Sequence, residues 1–286
     1  MADERESGVA ETVDAHHHLW RYTPEEFGWL EGGMEALQRD FLPDDLVVAM
    51  KGAGVDGAVA VQARQSLEET RWLLQLAEEC PQIWGVVGWA PITSSDFLKT
   101  MEEFSGQRKL RGLRHIIQAE ADENFILRED FNAGIRSLRG SGLVYDILIF
   151  ERHLPQSIRF VDMNPEQQFV LDHIAKPKIA EGELEPWATN ICELAKREHV
   201  VCKISGIVTE AKWNSWSMDT LRPYLDVVVE AFGPERLMVG SDWPVCLVAS
   251  EYSRWFSLLQ EYFAGFSAVE QERIFGGTAI DVYGLR

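Results

Sequence analysis

Two histidines, His16 and His18, stand two residues apart in the segment Asp14-Ala15-His16-His17-His18, at the end of a short apolar run. On a β-strand that spacing puts both imidazoles on one face, where they could share a cation. His173 closes a second apolar run, and Asp242 follows a third, Leu237-Met-Val-Gly-Ser241. Three ring nitrogens and one carboxylate oxygen suit Zn²⁺ or a similar divalent ion. A carboxylate at that place can also hold and deprotonate a water. Plainer readings exist. The histidine run could be merely polar, and Asp242 could be an N-cap, which Pro244 two residues later would fit. The apolar strand context favours the chemistry.

Other polar residues fall at the ends of apolar runs. They are Gln62 with Arg64, Arg114-His115, Tyr145-Asp146, Asp172-His173 followed by Lys176, Lys203 with Ser205, and Ser241-Asp242-Trp243. Burying each unpaired would cost several kcal/mol, so a core packed only for stability would not collect them. Arg114 and His115 are adjacent and point to opposite faces of a regular strand. Only one can face the interior unless the strand is ending there, and Arg114 could instead be a structural ion-pair partner. Lys203 and Asp146 could pair with each other or meet a substrate. Trp213, Trp216 and Trp243 could wall a pocket, although Trp216 fits simple core packing as well. Cys202 beside Lys203 lacks a Cys-His arrangement, and no G-x-S-x-G elbow or Walker loop occurs.

The elements that must carry these residues alternate. Apolar, β-branched runs at 12–16, 57–62, 84–89, 111–115, 143–149, 168–174, 200–205 and 237–241 are the expected strands. Helical spacing of apolar residues appears at 43–53, 68–79, 130–140, 186–197 and 220–232. Uniformly apolar strands with helices between them point to a parallel sheet. Eight such strands predict a single-domain (β/α)8 barrel of the TIM type over 11–286, after a disordered tail at 1–10. The open doubly wound rival lacks its G-x-G-x-x-G fingerprint. In such a barrel the active site lies at the C-terminal strand ends, where the polar residues gather.

Composition narrows the partners. The chain has 286 residues, 46% of them hydrophobic, enough for a sizeable core, and a formal net charge of −19. That charge repels nucleic acid and anionic membrane, so neither is expected. No apolar run reaches the roughly 20 residues of a membrane span, and the polar start does not resemble a signal peptide. Cys80, Cys192, Cys202 and Cys246 form no C-x-x-C pair. They read as core residues in a reducing compartment, with the cytoplasm as the expected location. A homodimer is the default oligomer.

The segments Val13-Asp-Ala-His-His-His-Leu-Trp20, Gly112-Leu-Arg-His115, Phe169-Val-Leu-Asp-His-Ile-Ala-Lys-Pro177, Cys202-Lys-Ile-Ser-Gly206 with Thr209-Glu-Ala211, and Gly240-Ser-Asp-Trp-Pro244 carry a resemblance. Over residues 12–285 the chain resembles the sugar-lactonase branch of the amidohydrolase superfamily, which holds L-fuconolactonases, L-rhamnono-γ-lactonases and 2-pyrone-4,6-dicarboxylate lactonases. The resemblance implies a (β/α)8 barrel, carbohydrate metabolism and hydrolysis of a sugar lactone. It supports His16, His18, His173 and Asp242 as the inner set. Many amidohydrolases carry a bridging Lys or Glu on strand four and a His on strand five. Here strand five has Tyr145-Asp146, and His153 lies beyond it, which argues against two metals. The pyrone lactonases are understood to work without a metal, so one ion or none stays open, with one Zn²⁺ expected.

The expected reaction has Asp242 take a proton from water, with His173 beside it. The oxyanion is met by the metal or by Arg114 or His115, and the leaving ring oxygen is protonated by Asp242 or His115. Gln62, Arg64, Arg114 and Trp243 are the expected contacts to the polyol and its carboxyl. A decarboxylase or hydratase of a small carboxylic acid on the same barrel is the alternative. A non-catalytic binder is the third reading.

Overall fold

The structure is a computed structural model that describes residues 10–286. Residues 1–9 of the expected tail lie outside the described residues. Eight strands follow one another as β1 (Val13–His17), β2 (Gly57–Val61), β3 (Ile83–Gly88), β4 (Leu110–Ile116), β5 (Val144–Leu148), β6 (Phe169–Leu171), β7 (Val200–Ile204) and β8 (Leu237–Val239). Each pairs in parallel with its sequence neighbour. The ring closes between β8 and β1, where Asp242 N–H donates to His16 O at 2.8 Å and His18 N–H donates to Trp243 O at 2.6 Å. This is the expected (β/α)8 barrel.

Helices α1 (Pro43–Ala53), α2 (Leu67–Glu79), α3 (Phe97–Glu103), α4 (Glu129–Ser137), α5 (Leu154–Met163), α6 (Trp187–Leu194), α7 (Met218–Phe232) and α8 (Tyr252–Phe263) surround the sheet. Two short helices, α9 (Ala268–Glu272) and α10 (Thr278–Tyr283), follow. The start of α2 shows how local chemistry sets an element. Ser66 is extended, and its hydroxyl accepts from the N–H groups of Glu68 and Glu69, two donors the helix cannot satisfy itself. No helix among the described residues is long and apolar enough to cross a membrane.

The strands bury two faces. Leu113, Tyr145, Ile147, Phe169, Leu171 and Ile204 pack outward with the helices. Val13, Ala15, Val59, Val61, Val87, Val144, Val170, Val201 and Met238 pack with one another inside the barrel. Ala279, Tyr283 and Leu285, from α10 and just beyond it, join this inner cluster. Above the inner apolar residues the same strand faces turn polar: Asp146 follows Val144, Asp172 follows Val170, and Lys203 follows Val201, each two residues on. The alternation of a strand therefore lifts those charges into the barrel without a break in the sheet.

On β1 the register slips between Asp14 and His17. Asp14 contacts Tyr252 of the outer helix α8, while His16 and His18 meet inside. An extra residue in the strand shifts its phase, so that both Ala15 and His16 contribute to the interior.

Candidate active site

His18 fixes the chemistry of the inner set. Its Nδ1 lies 2.8 Å from the Val61 carbonyl oxygen. A carbonyl can only accept, so Nδ1 carries a proton, and in the neutral ring Nε2 is left with the lone pair. That Nε2 is 3.3 Å from His16 Nε2 and 3.3 Å from Asp242 Oδ1. Asp242 Oδ1 is also 3.8 Å from His16 Nε2 and 3.9 Å from His173 Nε2. His173 is held from behind, its Nδ1 2.9 Å from Ser205 Oγ.

These donors fit a metal. Tetrahedral zinc with nitrogen and oxygen ligands at about 2.0–2.2 Å sets ligand atoms about 3.3–3.6 Å apart. His16, His18 and Asp242 form a compact, buried trio of ligand atoms, and each inner histidine has its other ring nitrogen occupied, the outer-shell pattern of metal-binding imidazoles. A second compact grouping, His16 with Asp172 and His173, suits an ion less well, because Asp172 already faces the cations of Arg114 and Lys203.

The chain distorts its backbone to make this arrangement. On a regular strand Asp172 and His173 would face opposite ways. The pairing of β6 ends at Leu171, and His173, Ile174, Ala175 and Lys176 all take left-handed conformations, with φ of 54°, 48°, 61° and 48°. Each such residue costs about 1–2 kcal/mol. Part of the compensation is a 2.7 Å hydrogen bond from Trp187 Nε1 to the Ile174 carbonyl. Asp242 is left-handed as well, at φ 57°. Gly206, at φ 63°, leaves room for both: a Cβ there would sit 2.6 Å from His173 Nδ1 and 3.2 Å from Asp242 Oδ2.

Beneath the inner set lies a buried charge network. Arg114 Nη1 donates to Asp172 Oδ2 at 2.9 Å and lies 3.3 Å from His16 Nε2. Its Nη2 donates to the Gln62 carbonyl. Lys203 Nζ is 2.6 Å from Asp146 Oδ2, 3.0 Å from Asp172 Oδ1 and 3.2 Å from His16 Nδ1. Two cations thus meet two carboxylates with hydrogen bonds, which makes their burial tolerable. Of the two readings open for Lys203 and Asp146, the structure has the Lys–Asp pair inside the barrel.

The electrostatics separate acid from base. Burial would raise Asp242, but the influence of His173, His18 and Lys176 outweighs it and holds the carboxyl below its ordinary range. Burial pushes His173 down to about 4. Burial likewise pushes His16 well below the usual imidazole range, against the pull of Asp172. A neutral His16 and His173 beside an ionised carboxylate are what both metal binding and proton acceptance need.

The other expected residues are placed as follows. His115 is not brought into the inner set. Arg114 takes the inward face of β4, so its neighbour points into the helical layer, where His115 stacks on Phe125 with ring centroids 4.9 Å apart. Trp89 Nε1 donates to His115 Nδ1 at 3.3 Å, and His115 Nε2 is 2.6 Å from Glu120 Oε1. Arg114 is engaged by Asp172 and Gln62, the ion-pair alternative to a free substrate contact. Gln62 donates from Nε2 to the Arg114 carbonyl and keeps an unpartnered Oε1. Arg64 pairs with Glu26 and faces Glu69. Trp243 is buried, edge-on to Phe41 of the loop after β1. Trp216 is core, its Nε1 donating to the Ala249 carbonyl.

Two groups named in the sequence were given no role there. Asp172 was overshadowed by its neighbour His173, although its i+2 spacing from Val170 already placed it inside. Glu210, from the segment after β7, stands 3.9 Å from Lys176 Nζ at the mouth, the pair being 24% and 17% exposed. Only the folded chain brings these two together.

The amidohydrolase family profile matches residues 13–285. An L-fucono-1,5-lactonase of Burkholderia multivorans is 40% identical, over 96% of this chain and 96% of that protein. An L-fucono-1,5-lactonase of Burkholderia ambifaria is 35% identical, over 95% and 94%. A crystal structure of a Burkholderia multivorans amidohydrolase with bound zinc aligns at a TM-score of 0.93 and 41% identity, covering 97% of this chain and 100% of that one.

Proposed function

The chain belongs to the amidohydrolase family, and from that membership we propose that its barrel mouth hydrolyses the ester of a sugar-acid lactone of the L-fucono-1,5-lactone type. The observation that carries the proposal is Asp242: a buried carboxylate kept ionised among the Nε2 atoms of His16, His18 and His173. The near full-length likeness to two L-fucono-1,5-lactonases supports the choice of substrate class.

In this reading Asp242 orients a water and takes its proton as the water oxygen adds to the lactone carbonyl carbon. The carbonyl electrons move to oxygen, then return as the ring C–O bond breaks. Asp242 passes its proton to the departing ring oxygen, which becomes the hydroxyl of the open aldonic acid. A divalent ion held by His16, His18 and Asp242, with His173 alongside, would supply Lewis-acid polarisation and a more acidic water. Zn²⁺ is the ion we assign, on the donor set. Arg114 adds fixed positive potential beside His16, where negative charge develops. Lys176 and Glu210 would meet the sugar hydroxyls at the rim, with the Gln62 Oε1 as an acceptor behind them. Arg64 and Trp243 shape the rim through Glu26 and Phe41. Four free cysteines suit the reducing, cytoplasmic setting we assign.

The test is a lactone panel. Purified protein should accelerate opening of L-fucono-1,5-lactone, followed by acid release against spontaneous hydrolysis, with zinc added or a chelator present. Decarboxylation or hydration of small carboxylic acids with no lactone turnover would replace this reading with its alternative.

A further inference from the structure

Lys203 Nζ donates to Asp146 Oδ2 inside the barrel and lies 3.0 Å from Asp172 Oδ1 and 3.2 Å from His16 Nδ1. Asp146 does not rely on Lys203 alone. The hydroxyl of Tyr283, on α10, lies 2.9 and 2.8 Å from its two carboxylate oxygens. Tyr283 enters from below, among the valines of the inner cluster, and its ring centroid is 5.3 Å from Lys203 Nζ. The surroundings of the ring are apolar, and packing alone would be served by phenylalanine. The hydroxyl instead ends an unbroken line of polar contacts, from Tyr283 through Asp146 and Lys203 to His16. That line crosses from the base of the barrel to its mouth, joining residues 267 positions apart in sequence.

We propose that Tyr283 is a positioning residue for the site: its hydroxyl orients Asp146, Asp146 orients Lys203, and Lys203 with Asp172 sets the His16 imidazole. His16 Nδ1 faces both an acceptor, Asp172 Oδ1 at 3.3 Å, and a donor, Lys203. Where Lys203 sits therefore decides which His16 nitrogen carries the proton, and so whether Nε2 offers its lone pair to the mouth. Removing the Tyr283 hydroxyl leaves Asp146 with one partner fewer and lets the ammonium shift. The inference rests on His16 belonging to the active site, as proposed above.

Tyr283→Phe keeps the ring and deletes the contact. The expected result is a fall in kcat of about tenfold, the lower range for outer-shell partners of site histidines, with KM little changed. Selective ¹⁵N-histidine labelling should show the His16 ring nitrogens moving, a signature that loss of packing would not produce. Asp146→Asn should lower kcat in the same direction, and Tyr283→Phe should add nothing further in that background, because the hydroxyl acts through the carboxylate. Wild-type kcat with an unchanged His16 ring spectrum in Tyr283→Phe overturns the proposal. So does independent, additive loss in the double variant. If Tyr283→Phe does not fold, wild-type kcat in Asp146→Asn overturns it alone. Should no lactone be a substrate, the lactonase reading fails while the His16 spectra still judge this one.

Discussion

His18 Nε2 and Asp242 Oδ1 lie 3.3 Å apart in the buried mouth of the barrel. The imidazole has committed its N–H to the Val61 carbonyl, and the carboxylate is held ionised. A ring nitrogen and a carboxylate oxygen at that distance in a buried site need a cation between them, whether a proton on Nε2 or a metal. The convergence of His16 on the same point favours the metal.

Zinc binding follows from that contact. Protein equilibrated with zinc should retain one ion per chain, and His18→Ala should retain none. Binding should stabilise the fold by about 2.7 kcal/mol at a hundredfold excess over Kd, raising Tm in the wild type alone. Metal analysis and thermal unfolding check both. Equal zinc content in the two proteins would place the ion elsewhere.

Asp242→Asn tests the proton acceptor. Asn tolerates left-handed backbone nearly as well as Asp, so the φ of 57° at this position is kept and the fold should survive. Lactone hydrolysis should fall by about 10²–10⁴-fold. Turnover near the wild-type rate in a folded variant removes Asp242 from its role.

Arg114 and Asp172 illustrate a buried pair whose members depend on each other. Both are almost wholly inaccessible, and they meet at 2.9 Å. Removing one partner strands the other, at a cost of about 3–5 kcal/mol. Arg114→Met should therefore shift the urea midpoint downward as well as reduce activity. A raised KM with unchanged stability would show Arg114 to be a substrate contact instead.

The barrel was legible because its signal is repetitive: eight apolar runs, with five stretches of helical spacing interleaved among them. His16, His18, His173 and Asp242 were legible for a similar reason, since strand ends are where such barrels keep their chemistry. Legibility stopped where backbone departs from regular strand. The left-handed turn at 173–176 lets Asp172 and His173 both serve the interior, against the alternation rule. On β4 that rule does hold, but the sequence does not say which residue faces in. The structure gives the interior to Arg114 and sends His115 to the aromatic layer. The Tyr283–Asp146 contact spans 137 residues, and no local pattern announces it.

Glu69 provides a pH-dependent stability term. Burial raises its carboxyl to about 7, despite the Arg64 and Ala63 N–H groups and the Arg64 charge, from an ordinary 4.5. The folded chain then holds a proton that the unfolded chain gives up between those values. This contribution is fully present below about 4.5 and is lost as pH rises through about 7, on the order of 3 kcal/mol over the window. Urea unfolding at pH 5 and pH 8 should show the wild type losing stability relative to Glu69→Gln, in which nothing titrates. Parallel slopes in the two proteins would mean Glu69 is ionised throughout.

Gly206→Ala reaches both halves of the site at once. A methyl at this position would meet the His173 ring at 2.6 Å from Nδ1 and 2.8 Å from Cγ, and Asp242 Oδ2 at 3.2 Å. The left-handed φ of 63° adds strain of about 1 kcal/mol or more for any residue with a Cβ. The ring cannot retreat freely, because Ser205 Oγ holds it from the same side. His173 must therefore turn and lose that hydrogen bond, moving its Nε2 away from Asp242. The fold should persist with a Tm lowered by a few degrees, since the change is confined to the mouth, while kcat drops by about 10²-fold, the cost of a misplacement near 1 Å at a reacting centre. Circular dichroism, thermal unfolding and lactone kinetics on the same preparation separate the two effects. An alanine variant with wild-type kcat would mean that neither the His173 ring nor the Asp242 carboxylate needs its present position.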